Sequence, residues 1–132
     1  MADRLKVPDN QHLAIRVVAM PADANSSGDI FGGWLMSQVD LAGSVIARRR
    51  AKGRIVTVAV DAFQFKSPVF VGDLVSCYAV ITRVGTTSIT VHVSAFAERH
   101  GKSQECIQVT EADLTYVAVD ENRRPQKVPG DD

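Results

Sequence analysis

The stretch Ile30-Phe31-Gly32-Gly33-Trp34-Leu35-Met36-Ser37-Gln38-Val39-Asp40-Leu41-Ala42-Gly43-Ser44-Val45-Ile46-Ala47 decides the fold. Leu35, Val39, Ala42 and Ile46 recur at helical spacing, with Trp34, Leu41 and Val45 flanking them, and this predicts one long helix buried on nearly every side. Before it, Ala22-Asp23-Ala24-Asn25-Ser26-Ser27-Gly28-Asp29 concentrates residues that make turns and cap helices. After it, Arg48-Arg49-Arg50 puts cations at the negative end of the helix dipole, and Gly53 is the expected left-handed cap.

The rest of the chain reads as strand. Residues 13–19 form a first strand that stops at Met20-Pro21. Residues 54–62 are β-branched, and the strand is expected to run on to a break near Pro68. Residues 73–84 and 88–97 make two strands joined by Gly85-Thr86-Thr87; in the second, Ile89, Val91, Val93 and Ala95 alternate with Ser88, Thr90, His92 and Ser94, so one face is buried. A polar turn over His100-Gly101-Lys102-Ser103 leads to a last strand from Glu105 to Asp120, with Ala112, Leu114, Tyr116 and Ala118 on one side. One strand, one helix and four more strands give an α+β layout, an antiparallel sheet wrapped around a single central helix. A single domain over residues 1–132 is expected, with residues up to about 12 and from 121 onward as extended or flexible tails.

Composition narrows the functions. The chain has 132 residues, 45% hydrophobic and 23% charged, which fits a globular core and disfavours disorder. Fifteen Lys and Arg balance fifteen Asp and Glu, which argues against a dedicated nucleic-acid binder. Cys77 and Cys106 lack CxxC spacing and read as reduced core residues. With no apolar leader and no run long enough to span a bilayer, the expected location is the cytoplasm, with no membrane insertion. His12, His92 and His100 lack metal-ligand spacing, so no metal is expected. No GxSxG elbow is present, and a nucleophilic triad has little support.

Two features carry chemistry. Asp40 is the only ionisable residue between Asp29 and Arg48, and Met36, Gly43, Ser44 and Ala47 share its side of the helix, so a backbone or a ligand can approach its carboxylate. It is either a structural carboxylate held by a backbone donor or a cation, or a general base or nucleophile. The glycines at the helix start serve either close packing or access: they leave the first-turn N–H groups of Gly32, Gly33 and Trp34 open to an oxygen. With a carboxylate two turns further on, this resembles an oxyanion hole and its base. Arg54, Lys66, Arg83 and the turn Gly85-Thr86-Thr87-Ser88 are candidate phosphate contacts, and Glu111 and Asp113, on one face of the last strand, are expected in ion pairs.

In order and spacing, Met20-Pro21-Ala22-Asp23-Ala24-Asn25, Gly28-Asp29-Ile30-Phe31-Gly32-Gly33-Trp34, Asp40-Leu41-Ala42-Gly43, Val56-Thr57-Val58-Ala59-Val60-Asp61, Val71-Gly72-Asp73 and Thr110-Glu111-Ala112 resemble the hotdog-fold acyl-CoA thioesterases, specifically the bacterial YciA-like acyl-CoA hydrolases. The resemblance spans roughly residues 10–120. It implies hydrolysis of acyl-CoA to a free acid and coenzyme A at sites formed between two subunits. It also implies Asp40 as general base or nucleophile, Asn25 supplied by the partner subunit, and oxyanion donors centred on Gly33. Coenzyme A is then part of the substrate and no separate cofactor is implied; the minimal unit is a homodimer, with dimers joining into a trimer of dimers. A thiol leaves as thiolate, its pKa being roughly 8.5, so no strong general acid is needed. Two other functions fit the same fold: a non-catalytic acyl-CoA-binding or regulatory module, and an acyl-CoA hydratase or dehydratase. The latter requires a histidine near the helix, and none lies between His12 and His92.

Overall fold

The structure is a computed structural model and describes residues 10–100 and 105–130. Five strands and one long helix follow in the expected order: β1 (His12–Val18), α1 (Gly32–Ala51), β2 (Ile55–Phe65), β3 (Leu74–Val84), β4 (Ser88–Arg99) and β5 (Glu105–Ala118), with a single 3₁₀ turn, Pro21–Asp23, after β1. All neighbouring strands are antiparallel, and their spatial order is β1-β3-β4-β5-β2. The first two strands therefore lie on opposite edges, and α1 is the link that carries the chain between them across one face of the sheet. That crossing puts the helix against all five strands.

The core lies between helix and sheet. Leu35, Val39, Ala42 and Ile46 are all buried against Ile89, Val91, Val93 and Ala95 of β4 and Ala112, Leu114, Tyr116 and Ala118 of β5, as their periodicities predict. Each large aliphatic side chain so buried contributes on the order of 2 kcal/mol. The helix is less enclosed than its composition suggests. Leu41 is 52% exposed and Met36 is exposed too, as are Val56, Val58 and Val60 of the unpaired edge strand β2. Among the described residues of one chain, nothing covers this part of the apolar surface.

Five expectations need correction. The helix starts at Gly32, because Ile30 pairs with Ala24 and its N–H binds Val69 O, and it runs four residues past Ala47 to Ala51. Its left-handed cap is Lys52 (φ 55°, ψ 35°), whose N–H closes on Arg48 O; the cap falls one residue before Gly53. β2 stops at Phe65, short of the break expected near Pro68. The C-terminal segment is extended but is not a loose tail: Val119 bridges Pro125, Gln126 N–H donates to Ala118 O, Val128 N–H donates to Thr86 O, and the Val128 side chain is buried. Arg50 Nη1 donates to Pro129 O at 2.6 Å, tying that segment to the helix end. The expected turn over residues 101–103 and the first nine residues lie outside the described residues. Cys77 is buried and burial pushes its thiol up to about 12, whereas Cys106 is only partly buried, so the core assignment holds for the first alone.

The link between β2 and β3 is fixed by one ion pair. Asp73 is 2% exposed, and Arg99 grips it with two bonds, Nε to Oδ1 at 3.0 Å and Nη2 to Oδ2 at 2.8 Å. Asp73 Oδ2 also accepts the Phe70 N–H, Arg99 Nη2 donates to Pro68 O, and the guanidinium lies 4.5 Å from the Phe70 ring centre. Gly72 turns the chain here at φ +94°, a region open to glycine. Removing the arginine leaves a buried carboxylate with one backbone donor. Arg99→Ala is therefore expected to lower stability by about 3 kcal/mol, seen as a lower urea midpoint with unchanged slope.

Candidate functional site

Asp40 lies mid-helix on the side facing β2 and β5. Its Oδ1 accepts the Thr57 hydroxyl at 2.8 Å and the Tyr116 hydroxyl at 3.1 Å, and the same tyrosine oxygen lies 2.8 Å from the Asp40 main-chain carbonyl. Neither partner was singled out from the sequence as a site residue. Thr57 pairs with Tyr116 across β2 and β5, and Val60 pairs with Leu114, so both Thr57 and Val60 face the helix. Three positions apart in a regular strand, they would point to opposite faces; a bulge between Thr57 and Ala59 brings them to the same one. Gly43 completes the arrangement. A Cβ there would fall on the Tyr116 hydroxyl and lie 3.1 Å from its Cζ, so the missing side chain is the notch through which the phenol reaches Asp40. Burial first, then the charge of Asp40 and the hydrogen bond to it, push the Tyr116 hydroxyl well above the ordinary phenol range, so it stays protonated and donates.

At the helix start, the two glycines do different things. A Cβ on Gly32 would lie 3.1 Å from the Phe65 ring, so Gly32 serves close packing. Around Gly33 nothing lies within 4 Å of the added Cβ, and the space is open. The N-cap residue, Phe31, offers no side-chain cap, so the N–H groups of Gly32, Gly33 and Trp34 have no acceptor from within the helix or from its cap. Asn25 organises the preceding loop. Its Oδ1 accepts the N–H groups of Ser27 at 2.9 Å and Asp29 at 3.1 Å, which leaves the side-chain NH₂ as the group it can offer elsewhere.

Asp40 lies seven residues past Gly33 on one helix, about 10 Å of axial rise. A base and an oxyanion donor must each come within roughly 3 Å of one reacting group. The Asp40 carboxylate and the Gly33 N–H of the same chain therefore cannot serve one carbonyl. The pairing of hole and base suggested by their shared helix is not available within one chain.

The candidate phosphate contacts do not gather in one place. Arg54, Arg83 and the Gly85–Ser88 turn lie at one end of the sheet, where Val119 N–H donates to Arg54 O and Ala118 N–H to Thr87 O. Lys66 follows the far end of β2, roughly 30 Å along the strand, and its Nζ is 2.8 Å from Glu111 Oε2. Within the turn, Gly85 N–H donates to Ser88 O, a Cβ on Gly85 would lie 2.7 Å from Ser88 Oγ, and Thr86 and Thr87 use their carbonyls on the C-terminal segment and β5. The glycine is explained by the turn itself.

On the face of the sheet away from the helix, His92 Nδ1 lies 2.8 Å from Asp113 Oδ1, and its Nε2 lies 3.2 Å from Glu111 Oε1 and 3.4 Å from Ser94 Oγ. The expected ion pair of Glu111 is present, with Lys66, which holds the Glu111 carboxyl below its usual range, whereas the partner of Asp113 is the His92 imidazole. Ser94, His92 and Asp113 have the outline of a nucleophilic triad, but Ser94 is 3% exposed and Glu111 competes for the same imidazole nitrogen. This histidine is on the wrong side of the sheet to assist Asp40.

Residues 27–116 match the thioesterase superfamily. Among curated proteins, the chain is 45% identical over 119 residues to the acyl-CoA thioester hydrolase YciA of Salmonella typhimurium, covering 89% of this chain and 90% of that one. Among solved structures, it is similar to a hexameric hotdog fold thioesterase of Campylobacter jejuni, at 43% identity and a TM-score of 0.89, over 92% of this chain and 93% of the other. A hexameric thioesterase from Yersinia pestis gives 45% identity and a TM-score of 0.88, with 95% and 100% of the two chains covered.

Proposed function

This chain belongs to the thioesterase superfamily, in its hotdog-fold acyl-CoA hydrolase branch, and on that premise we propose that it hydrolyses acyl-CoA to a free acid and coenzyme A with Asp40 as general base or nucleophile. The observation that carries this assignment is the carboxylate of Asp40, held by the hydroxyls of Thr57 and Tyr116 through one oxygen, while the other oxygen has no hydrogen-bond partner among the described residues.

In the base role, Asp40 takes a proton from water as the oxygen adds to the thioester carbon. The carbonyl oxygen, now negative, is met by helix N-terminal N–H groups centred on Gly33. The C–S bond then breaks, and the thiolate of coenzyme A leaves and recovers the proton. Aligned N–H donors are worth about 3 kcal/mol and a positioned base about 10² to 10⁴ in rate, which together suffice for so good a leaving group. As a nucleophile, the same carboxylate oxygen adds to the carbon and water cleaves the resulting anhydride, with the same products. No separate cofactor enters either route.

Because Asp40 and Gly33 of one chain are too far apart to share a carbonyl, the site requires two chains, one supplying Asp40 and the other Asn25 and the Gly33 N–H. The unpaired edge of β2, with Val56, Val58 and Val60 uncovered, is the surface on which a second copy pairs. Association of three such dimers into a hexamer follows the relatives. Arg54, Arg83 and the turn at residues 85–88 form the more coherent candidate phosphate surface, and Lys66 serves the Glu111 pair. Among the described residues no helix is long and apolar enough to cross a membrane. The two free thiols suit a reducing cytoplasm.

The direct test is release of free thiol from acyl-CoAs running from acetyl to palmitoyl, with aromatic and branched members included. Turnover is expected on at least part of the series. Binding without turnover on every member would make the protein an acyl-CoA-binding module.

A further inference from the structure

Tyr116 is 0% exposed and pairs with Ile89 on one side and Thr57 on the other, yet its hydroxyl is turned out of the apolar core toward a carboxylate. We propose that Tyr116 is a positioning residue which, with Thr57, pins Oδ1 of Asp40 and thereby makes Oδ2 the oxygen that meets the reacting groups. This rests on the assignment of Asp40 as base or nucleophile.

Two independent features converge on Oδ1. Thr57 reaches Oδ1 because it pairs with Tyr116 and shares its helix-facing side of the sheet. Tyr116 reaches it only because Gly43 has no side chain. The two donors come from different strands and approach one atom, which restrains both rotations of a short side chain that would otherwise sample several rotamers. A second acceptor gives the tyrosine a reserve. Its one proton is shared between Oδ1 and the Asp40 main-chain carbonyl at 2.8 Å, so when the carboxylate gains a proton during turnover the phenol still has a partner. Burial keeps the phenol protonated, as a donor requires.

The test is Tyr116→Phe, which keeps the ring and removes only the hydroxyl, assayed on the assembled protein with the best acyl-CoA of the series. The kcat is expected to fall about ten- to a hundredfold with KM within about twofold, because aim is lost and substrate contacts are not. Gly43→Ala, which displaces the hydroxyl while leaving it in place chemically, is expected to give the same kcat-specific loss, and it carries the test if the phenylalanine variant fails to assemble. Combining Tyr116→Phe with Thr57→Val is expected to cost less than the product of the two single effects, since both act on one oxygen. Wild-type kcat in an assembled Tyr116→Phe, or in an assembled Gly43→Ala where the phenylalanine variant fails to assemble, would overturn the proposal. Asp40→Asn run alongside separates the two levels: an inactive Asp40→Asn with a fully active Tyr116→Phe rejects the positioning role alone, whereas an active Asp40→Asn rejects the catalytic assignment beneath it.

Discussion

Asp40→Asn is expected to lower kcat by about 10² to 10⁴ while leaving the fold, the assembly and acyl-CoA binding intact. The hydrogen bonds of the site dictate how. Thr57 and Tyr116 both donate to Oδ1, and the asparagine carbonyl can take that place without disturbing either hydroxyl. The amide NH₂ is then forced into the position of Oδ2, where a donor stands in for the acceptor that must take a proton or attack carbon. The variant is nearly isosteric and differs in one atom at the reacting position, so it isolates chemistry from packing. Free-thiol assays at saturating substrate, with sedimentation to check assembly, read the two separately. Full activity would remove Asp40 from the mechanism and leave its three contacts as a structural cluster.

How much of this was legible in the sequence depends on the range of the interaction. The helix stripe and the alternation in β4 and β5 are local periodicities, and Leu35, Val39, Ala42, Ile46, Ile89 and Leu114 are all buried as they require. Asp40 stood out because a lone carboxylate in an apolar helix is visible without knowing any partner. Thr57 and Tyr116 are 17 and 76 residues away from it, and their meeting depends on the register in which β2 pairs with β5. No local pattern encodes that register, because Ile55–Val60 is β-branched at every position but Ala59 and carries no feature that names its partner strand. Gly43 was noted as small and near Asp40, but what it makes room for comes from another strand. The same limit explains the C-terminal segment: Val128 sits in a polar, proline-containing tail, and the backbone of Thr86 and Ala118, brought together by the sheet, helps give that tail a place to bind. The cap at Lys52 is a local miss of a different kind, a non-glycine residue taking a left-handed conformation one position before the glycine that would have adopted it at lower cost.

Mixing two inactive proteins is expected to restore activity, because the site is shared. Asn25→Asp is the informative loop variant: its side-chain oxygen can still accept the Ser27 and Asp29 N–H groups that hold the loop, but the NH₂ donor is gone. Asp40→Asn removes the reacting oxygen. In a dimer with one chain of each kind, one site combines Asp40 from the Asn25→Asp chain with Asn25 from the Asp40→Asn chain and is fully native; the other site carries both changes. Random exchange at equal amounts makes half of the dimers mixed, each with one good site of two, so about a quarter of the wild-type rate is expected. Were Asn25 and Asp40 to act within one chain, no site in any mixed dimer would be native and the mixture would stay inactive. Subunit exchange is verified by mass-tagging one partner, so a silent mixture with proven exchange would place the site inside a single chain. That outcome would contradict the geometry of α1, in which about 10 Å of helix separates Asp40 from the N–H of Gly33. The recovered rate is thus a measurement of which chain supplies the donor, made without altering the helix that positions the base.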